Sequence, residues 1–248
     1  MQGDCHESLA ISIAWLARAE PMTDNSFAIV GFDLDGTLLD TAGDIAAALN
    51  HALASAGRRT MGVEQVRRII GGGTRHMLAQ ALAATGGCTE ETLDQVLPVL
   101  LARYEQHIAA ETRPYPGCED ALDALAARGV RLAVVTNKLE RLAEAVLEAT
   151  GLRSRFATVI GGDTLGPGRE KPKPDLLQLM VERCGGGTAA FVGDSAFDVM
   201  AARAAGLPVV ACSFGFAHQP VGSLGADAVI DGFGELSAAL DAMEGLRA

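Results

Sequence analysis

The run Phe27-Ala28-Ile29-Val30-Gly31-Phe32-Asp33-Leu34-Asp35-Gly36-Thr37 decides the fold. Its six apolar or small residues suit a strand, and they end abruptly in two carboxylates two positions apart, followed by a glycine turn. A strand apolar on both faces belongs inside a parallel sheet covered by helices. Working outward, comparable runs return at 130–136, 157–160, 188–192, 208–212 and 228–230, separated by Ala/Leu-rich stretches with helical spacing. The alternation predicts an α/β chain with a Rossmann-like, doubly wound parallel sheet.

One segment departs from that rhythm. Between Asp40 and Arg113 no strand is expected, only helix-like blocks at 42–56, 63–70, 74–84 and 90–111, which make an inserted small all-α domain. The chain returns through Arg113-Pro114-Tyr115-Pro116-Gly117, where two prolines favour an extended hinge. The expected organisation is an upstream extension over residues 1–21, an α/β core over 22–40 and 114–248, and the helical insertion over 41–113. The apolar stretch 9–17 is too short to span a bilayer, and it follows Asp4 and Glu7 with no basic residue, unlike a secretory leader. Met22 is a candidate start directly before the first strand.

The 248 residues carry 20 Lys+Arg against 31 Asp+Glu, a formal charge of −11. Phosphate-backbone binding needs a basic surface, so nucleic acid is excluded as a bulk partner. The five cysteines, Cys5, Cys88, Cys118, Cys184 and Cys212, are scattered and form no CxxC pair. They read as mostly buried, reduced thiols, which fits a reducing cytoplasm rather than a disulfide framework or structural zinc.

Open α/β sheets bind ligands beyond the carboxyl ends of their strands. Four polar groups fall there: Asp33 and Asp35, then Thr136-Asn137, then Lys171 within Lys171-Pro172-Lys173-Pro174-Asp175, and Asp194-Ser195 with Asp198 beyond. Each alone is explained by helix capping or a turn. Together they bring four carboxylates towards one point. Two like charges about 4 Å apart repel by about 4 kcal/mol at an effective dielectric of 20, so the cluster asks for a cation. All-oxygen ligands favour Mg²⁺. A partly hydrated Mg²⁺ suits a phosphate substrate, and phosphoryl transfer is the expected chemistry. Asp33 would attack phosphorus, and Asp35 would protonate the leaving alcohol and then activate water. Thr136, Asn137 and backbone N–H groups after Asp33 would hold the phosphoryl oxygens, with Lys171 offsetting their charge.

These residues resemble the four signatures of the haloacid dehalogenase-like superfamily in its phosphatase form, over about residues 26–240. Phe32–Thr41 is similar to the first signature, Val134–Lys138 to the second, Lys171–Pro174 to the third and Val192–Asp198 to the fourth. The resemblance implies Asp33 as nucleophile, Asp35 as acid/base, and Thr136 and Lys171 as phosphate holders. It implies Mg²⁺ held by Asp33, the Asp35 backbone carbonyl and Asp194, with Asp198 in support. It also makes the helical insertion a C1 cap, a lid that selects the leaving group. Within that cap, Gly72, Gly73 and Arg75 are expected to face substrate, with Arg75 gripping a carboxylate.

A narrower resemblance, to bacterial phosphoglycolate phosphatases, comes from this loop, from Ala204–Val210, and from Phe214-Gly215-Phe216 with Ala226–Asp231. It implies hydrolysis of a small phosphorylated metabolite, 2-phosphoglycolate first, with a phosphosugar mutase and other phosphatase substrates as alternatives. The sequence leaves a monomer or a homodimer open, with no membrane partner.

Overall fold

The computed structural model describes residues 27–216 and 219–245. The readings for residues 1–21, Cys5 and Met22 lie outside them. Strand β1 (Ile29–Phe32) is wholly buried and is followed by a two-residue strand, β2 (Leu39–Asp40). Four helices come next: α1 (Ala42–Ser55), α2 (Val63–Arg67), α3 (Thr74–Gly86) and α4 (Glu90–Gln106). The chain then runs through β3 (Arg113–Pro114), α5 (Cys118–Ala127), β4 (Arg131–Val135), α6 (Glu140–Ala149), β5 (Thr158–Ile160) and α7 (Asp175–Arg183). It ends with β6 (Ala189–Gly193), α8 (Ala196–Ala205), β7 (Val209–Cys212), β8 (Ala228–Ile230) and α9 (Leu236–Gly245).

Six strands form one sheet in the order β5-β4-β1-β6-β7-β8, and each neighbouring pair is parallel. The chain builds leftward from β1 through β4 to β5 and then rightward through β6, β7 and β8. The reversal falls at β1, and a crevice opens at such a switch point beyond the strand ends.

Side chains alternate between the two faces of the sheet. Phe32, Val134 and Val192 pack on one face with Leu122 of α5, Val146 of α6 and Leu240 of α9. Val135 and Phe191 pack on the other with Met180 of α7 and Ala202 of α8. Gly31 sits between Phe191 and the sulfur of Met180, where a Cβ would lie 2.2 Å from Met180 Sδ, so the centre of the sheet admits no side chain there.

Helices α1 to α4 bury a core of their own, with Leu49, Leu53, Leu78, Leu82 and Leu100 joined by Leu142 of α6 and by Phe216. α2 and α4 stop at Arg67 and Gln106, short of the expected 70 and 111. The pairing of β2 with β3 at the base of these helices was not expected. Asp40 stands opposite Arg113 in an antiparallel pair, which ties the outgoing and returning chain together. Buried Asp44 reinforces the tie, accepting hydrogen bonds from the Glu111 and Thr112 backbone N–H groups and, at 2.7 Å, from Thr112 Oγ1. Two-residue strands carry no periodicity from which a sequence reading could find them. Among the described cysteines, Cys118, Cys184 and Cys212 are buried and Cys88 is exposed, all as free thiols.

Candidate active site

Sheet register brings the site together. Phe32 is level with Val134 of β4 and Val192 of β6, so Asp33 leaves the sheet level with Val135 and Gly193. Thr136 and Asp194 follow one residue later on the two flanks. Asp33 stays on the ladder through its N–H, which donates to Val192 O at 2.9 Å. Gly36 turns the chain with φ +89°, and a Cβ there would lie 2.5 Å from Asp194 Oδ2. The turn needs glycine for its backbone angle and for the space.

Lys171 arrives from the loop before α7 and is 2% exposed. Its Nζ donates to Asp198 Oδ1 at 2.6 Å and to Val135 O at 2.9 Å. It also forms an ion pair with Asp33 Oδ1 at 2.9 Å, and that buried oxygen has no other partner. Asp198 sits in the first turn of α8, where Oδ2 accepts from Ser195 N–H at 2.9 Å and from Ser195 Oγ at 2.6 Å. It is therefore a helix-capping residue as well as a partner of Lys171. Asp194 accepts from Thr37 Oγ1 at 3.1 Å and from the Phe216 N–H at 2.6 Å.

Carboxylate oxygens of Asp33, Asp194 and Asp198 lie within 4.8 Å of one another. At about 4 Å and an effective dielectric of 20, each like-charged pair costs about 4 kcal/mol. Three carboxylates against one lysine leave a formal charge of −2. Burial pushes the Asp33 carboxyl up to about 6, against the pull of Lys171 and with Asp198 adding to the rise. Asp194 is held well above the usual carboxylate range by burial and then by Asp198 and Asp33. Burial opposes the charge on Lys171, but Asp198 and Asp33 outweigh it and hold the ammonium up at about 12. The lysine stays charged and the acids are short of positive charge. An oxygen-only donor set with a deficit of two charges fits a hard divalent cation.

A second ion pair stands on the same side of the cleft. Asp35 accepts from Lys138 Nζ at 2.9 Å and 3.0 Å. Lys138 is itself buried, with its ammonium 4.5 Å from the ring centre of Tyr104 on α4. Burial works against this charge, and Asp35 first, then Tyr104, hold it above the usual lysine range. Asp33, Asp35, Thr136, Asn137 and Lys138 line one side of the cleft, and Ile45, Met77, Leu100 and Tyr104 of the helices line the other.

The model of the haloacid dehalogenase-like hydrolases matches residues 30–212. The chain belongs to this family. A phosphoglycolate phosphatase of Rhodospirillum rubrum is 42% identical over 212 residues, covering 83% of this chain and 87% of that protein. Another, from Agrobacterium fabrum, is 39% identical over 214 residues, covering 84% and 90%. The crystal structure of a predicted phosphoglycolate phosphatase from Haemophilus somnus superposes with a TM-score of 0.79 at 30% identity, over 86% of this chain and 97% of that one.

In this haloacid dehalogenase-like chain the structure gathers Asp33, Asp35, Thr136, Asn137, Lys171, Asp194 and Asp198 at the strand ends, and sets some of them in unexpected relations. Thr136 lines the cleft, and its Oγ1 accepts from Lys138 N–H at 3.2 Å. Asn137 gives both amide N–H donors to protein carbonyls, Gly71 O and Lys171 O, each at 2.9 Å, and accepts from Lys171 N–H at 2.8 Å. No side-chain donor remains for a phosphate oxygen, so Asn137 fastens the Lys171 loop to the glycine loop instead.

Arg75 departs further from its expected place. It pairs with Glu90 at 2.5 Å and with Asp94 at 2.7 Å, two exposed acids one turn apart on α4, and it does not line the cleft. A solvated guanidinium with two carboxylates nearby has little reason to enter an apolar wall. Gly71 and Gly73 line the cleft; Gly72 does not, and a Cβ on it would meet the His76 ring at 2.4 Å. Sequence reasoning gave no role to Lys138, Tyr104 or Asp44. Lys138 had a visible signal, standing directly after Thr136-Asn137 at a strand end. Tyr104 had none, since an aromatic residue at helical spacing reads as core.

Proposed function

We propose that this hydrolase is a Mg²⁺-dependent phosphomonoesterase that converts 2-phosphoglycolate to glycolate and phosphate through an aspartyl phosphate on Asp33. The observation that carries the reading is the buried Asp33 oxygen that is paired with Lys171 Nζ at 2.9 Å and has no other partner. It is a carboxylate held at a strand end, beside a permanent positive charge and open to a further electrophilic partner. The names of the relatives support the choice of substrate.

Asp33 and Asp194 would hold the metal through carboxylate oxygens, with the Asp35 backbone carbonyl. Asp198 stands behind them, held by Lys171 and Ser195. When bound, Mg²⁺ supplies the two positive charges that the site lacks. Bringing a carboxylate against a phosphate dianion costs about 8 kcal/mol uncompensated at the same dielectric, and Lys171 offsets part of this. In the first step an Asp33 oxygen bonds to phosphorus while the ester P–O bond breaks and Asp35 gives its proton to the leaving oxygen. In the second, Asp35 takes a proton from water as that water attacks phosphorus and releases Asp33. Thr136 has an O–H to donate to a phosphoryl oxygen.

The test is kcat/KM for phosphate release over a panel of 2-phosphoglycolate, sugar phosphates, nucleotides and pyrophosphate, with and without EDTA. The expected result is the highest value for 2-phosphoglycolate, abolished by EDTA, and a fall of about 10³-fold or more in Asp33→Asn. Sugar-phosphate interconversion faster than phosphate release would replace this reading with a mutase.

A further inference from the structure

Resting on the substrate reading above, we propose that the Lys138 ammonium and the Tyr104 hydroxyl form a carboxylate-binding pair in the cleft, selecting 2-phosphoglycolate over phosphoesters with an uncharged leaving group. Two independent observations lead there. Tyr104 is 4% exposed and lines the cleft, yet its O–H finds no acceptor, since the neighbouring Lys138 ammonium can only donate. A buried hydroxyl without an acceptor is rare in folded proteins, and where one lines a ligand cleft the ligand is the natural acceptor. Lys138 is the one cation among the described residues that line this cleft. Its ammonium has three N–H donors, and the contacts with Asp35 use no more than two.

The rest of the helical wall offers a carboxylate no cation: Ile45, Met77 and Leu100 are apolar, and the one other hydroxyl is that of Thr74 at the start of α3. An anion drawn out of water into such a place needs a cation and a donor at contact distance. Substrate geometry fits the same two groups. In 2-phosphoglycolate a single methylene separates the ester oxygen from the carboxylate carbon. Asp35, which must reach that ester oxygen, is 2.9 Å from Lys138 Nζ. A ligand placed for protonation by Asp35 therefore carries its carboxylate to Lys138, under the Tyr104 side chain. Arg75, turned to Glu90 and Asp94, is not needed for the task.

The experiment compares 2-phosphoglycolate with ethyl phosphate, which keeps both carbons and lacks the carboxylate, as a ratio of kcat/KM values. Tyr104→Phe removes one hydroxyl that finds no acceptor and should fold as the wild type does, a point checked by thermal melting. It is expected to lower the ratio about tenfold, mainly through KM for 2-phosphoglycolate. Lys138→Gln still has an N–H to donate to Asp35 but carries no charge, and is expected to lower the ratio about 100-fold. An unchanged ratio in Tyr104→Phe and Lys138→Gln overturns the pair, and so does an equal loss on both substrates, which would make Lys138 a positioning residue for Asp35. If Lys138→Gln does not fold, the Tyr104→Phe ratio decides alone. A wild-type protein that prefers ethyl phosphate sinks the substrate reading itself, a result distinct from a strong wild-type preference that the variants leave untouched.

Discussion

At the strand ends the polar groups are held on several sides: Asp194 by Thr37 and the Phe216 N–H, Asp198 by Lys171 and Ser195, Asp35 by Lys138. The opposite wall, built by α1, α3 and α4, is apolar except for Thr74 and for Tyr104, whose hydroxyl finds no acceptor. The contrast separates two tasks. Groups that stabilise developing charge work best when they are already oriented and need not reorganise during the reaction. A wall that excludes water and distinguishes leaving groups needs only shape and a few donors, left open until the ligand arrives.

The largest effect that could break this contrast lies on the polar side. Lys171→Met leaves Asp33, Asp194 and Asp198 buried with no cation between them, and removing one partner of a buried ion pair costs about 3–5 kcal/mol. Denaturant unfolding in EDTA should show that loss, and phosphate release assayed with Mg²⁺ should be abolished. A small loss would mean that the carboxylates do not depend on the lysine. Next comes Asn137→Ala, which frees Gly71 O, Lys171 O and the Lys171 N–H at once. About 1–3 kcal/mol is expected from a buried group left unsatisfied, with kcat falling more than KM rises because Lys171 loses its anchor. A pure KM effect would return Asn137 to direct phosphate binding.

A smaller effect concerns pH in the metal-free protein. The Asp33 carboxyl titrates at about 6 in the fold against an ordinary 3.8, so the folded state binds this proton more tightly. Its stabilising contribution is full below the ordinary value and is lost as pH rises through 6. Asn cannot titrate, so in EDTA the Tm of Asp33→Asn should gain on that of the wild type between pH 4 and pH 7. A constant Tm difference would contradict the raised value. The smallest effect sharpens the contrast from the helical side. Arg75→Ala removes two exposed ion pairs and should change kcat/KM for 2-phosphoglycolate by less than about twofold. A large rise in KM would bring Arg75 back into the cleft.

Much of the polar wall could be read along the chain because its residues sit directly after strands. A strand needs an apolar run of four to six residues, and the first polar residue after it marks the carboxyl edge of the sheet. Asp33, Thr136 and Asp194 follow from that logic, and Lys171 from the loop Lys171-Pro172-Lys173-Pro174-Asp175 read beside them. The helical wall offered no such marker. Arg75 looked suitable because it follows a glycine loop, but the acids that hold it lie 15 and 19 residues away on α4. Tyr104 was hidden for the opposite reason: within α4 it continues the buried face of Leu93, Val96 and Leu100.

The alternation of apolar runs and helical stretches, with carboxylates at the run ends, was enough on its own to determine an α/β core and the place of the polar groups at its edge. Local hydrophobic period and strand termination are properties of neighbouring residues. Which side chains bind each other in and around the cleft was decided only in three dimensions. Asn137 was committed to Lys171, Arg75 to Glu90 and Asp94, and Lys138 to Asp35 and the face of Tyr104. The physical reason is range: a charge or an amide takes whichever partner the fold brings within about 3 Å, and that distance is unrelated to separation along the chain.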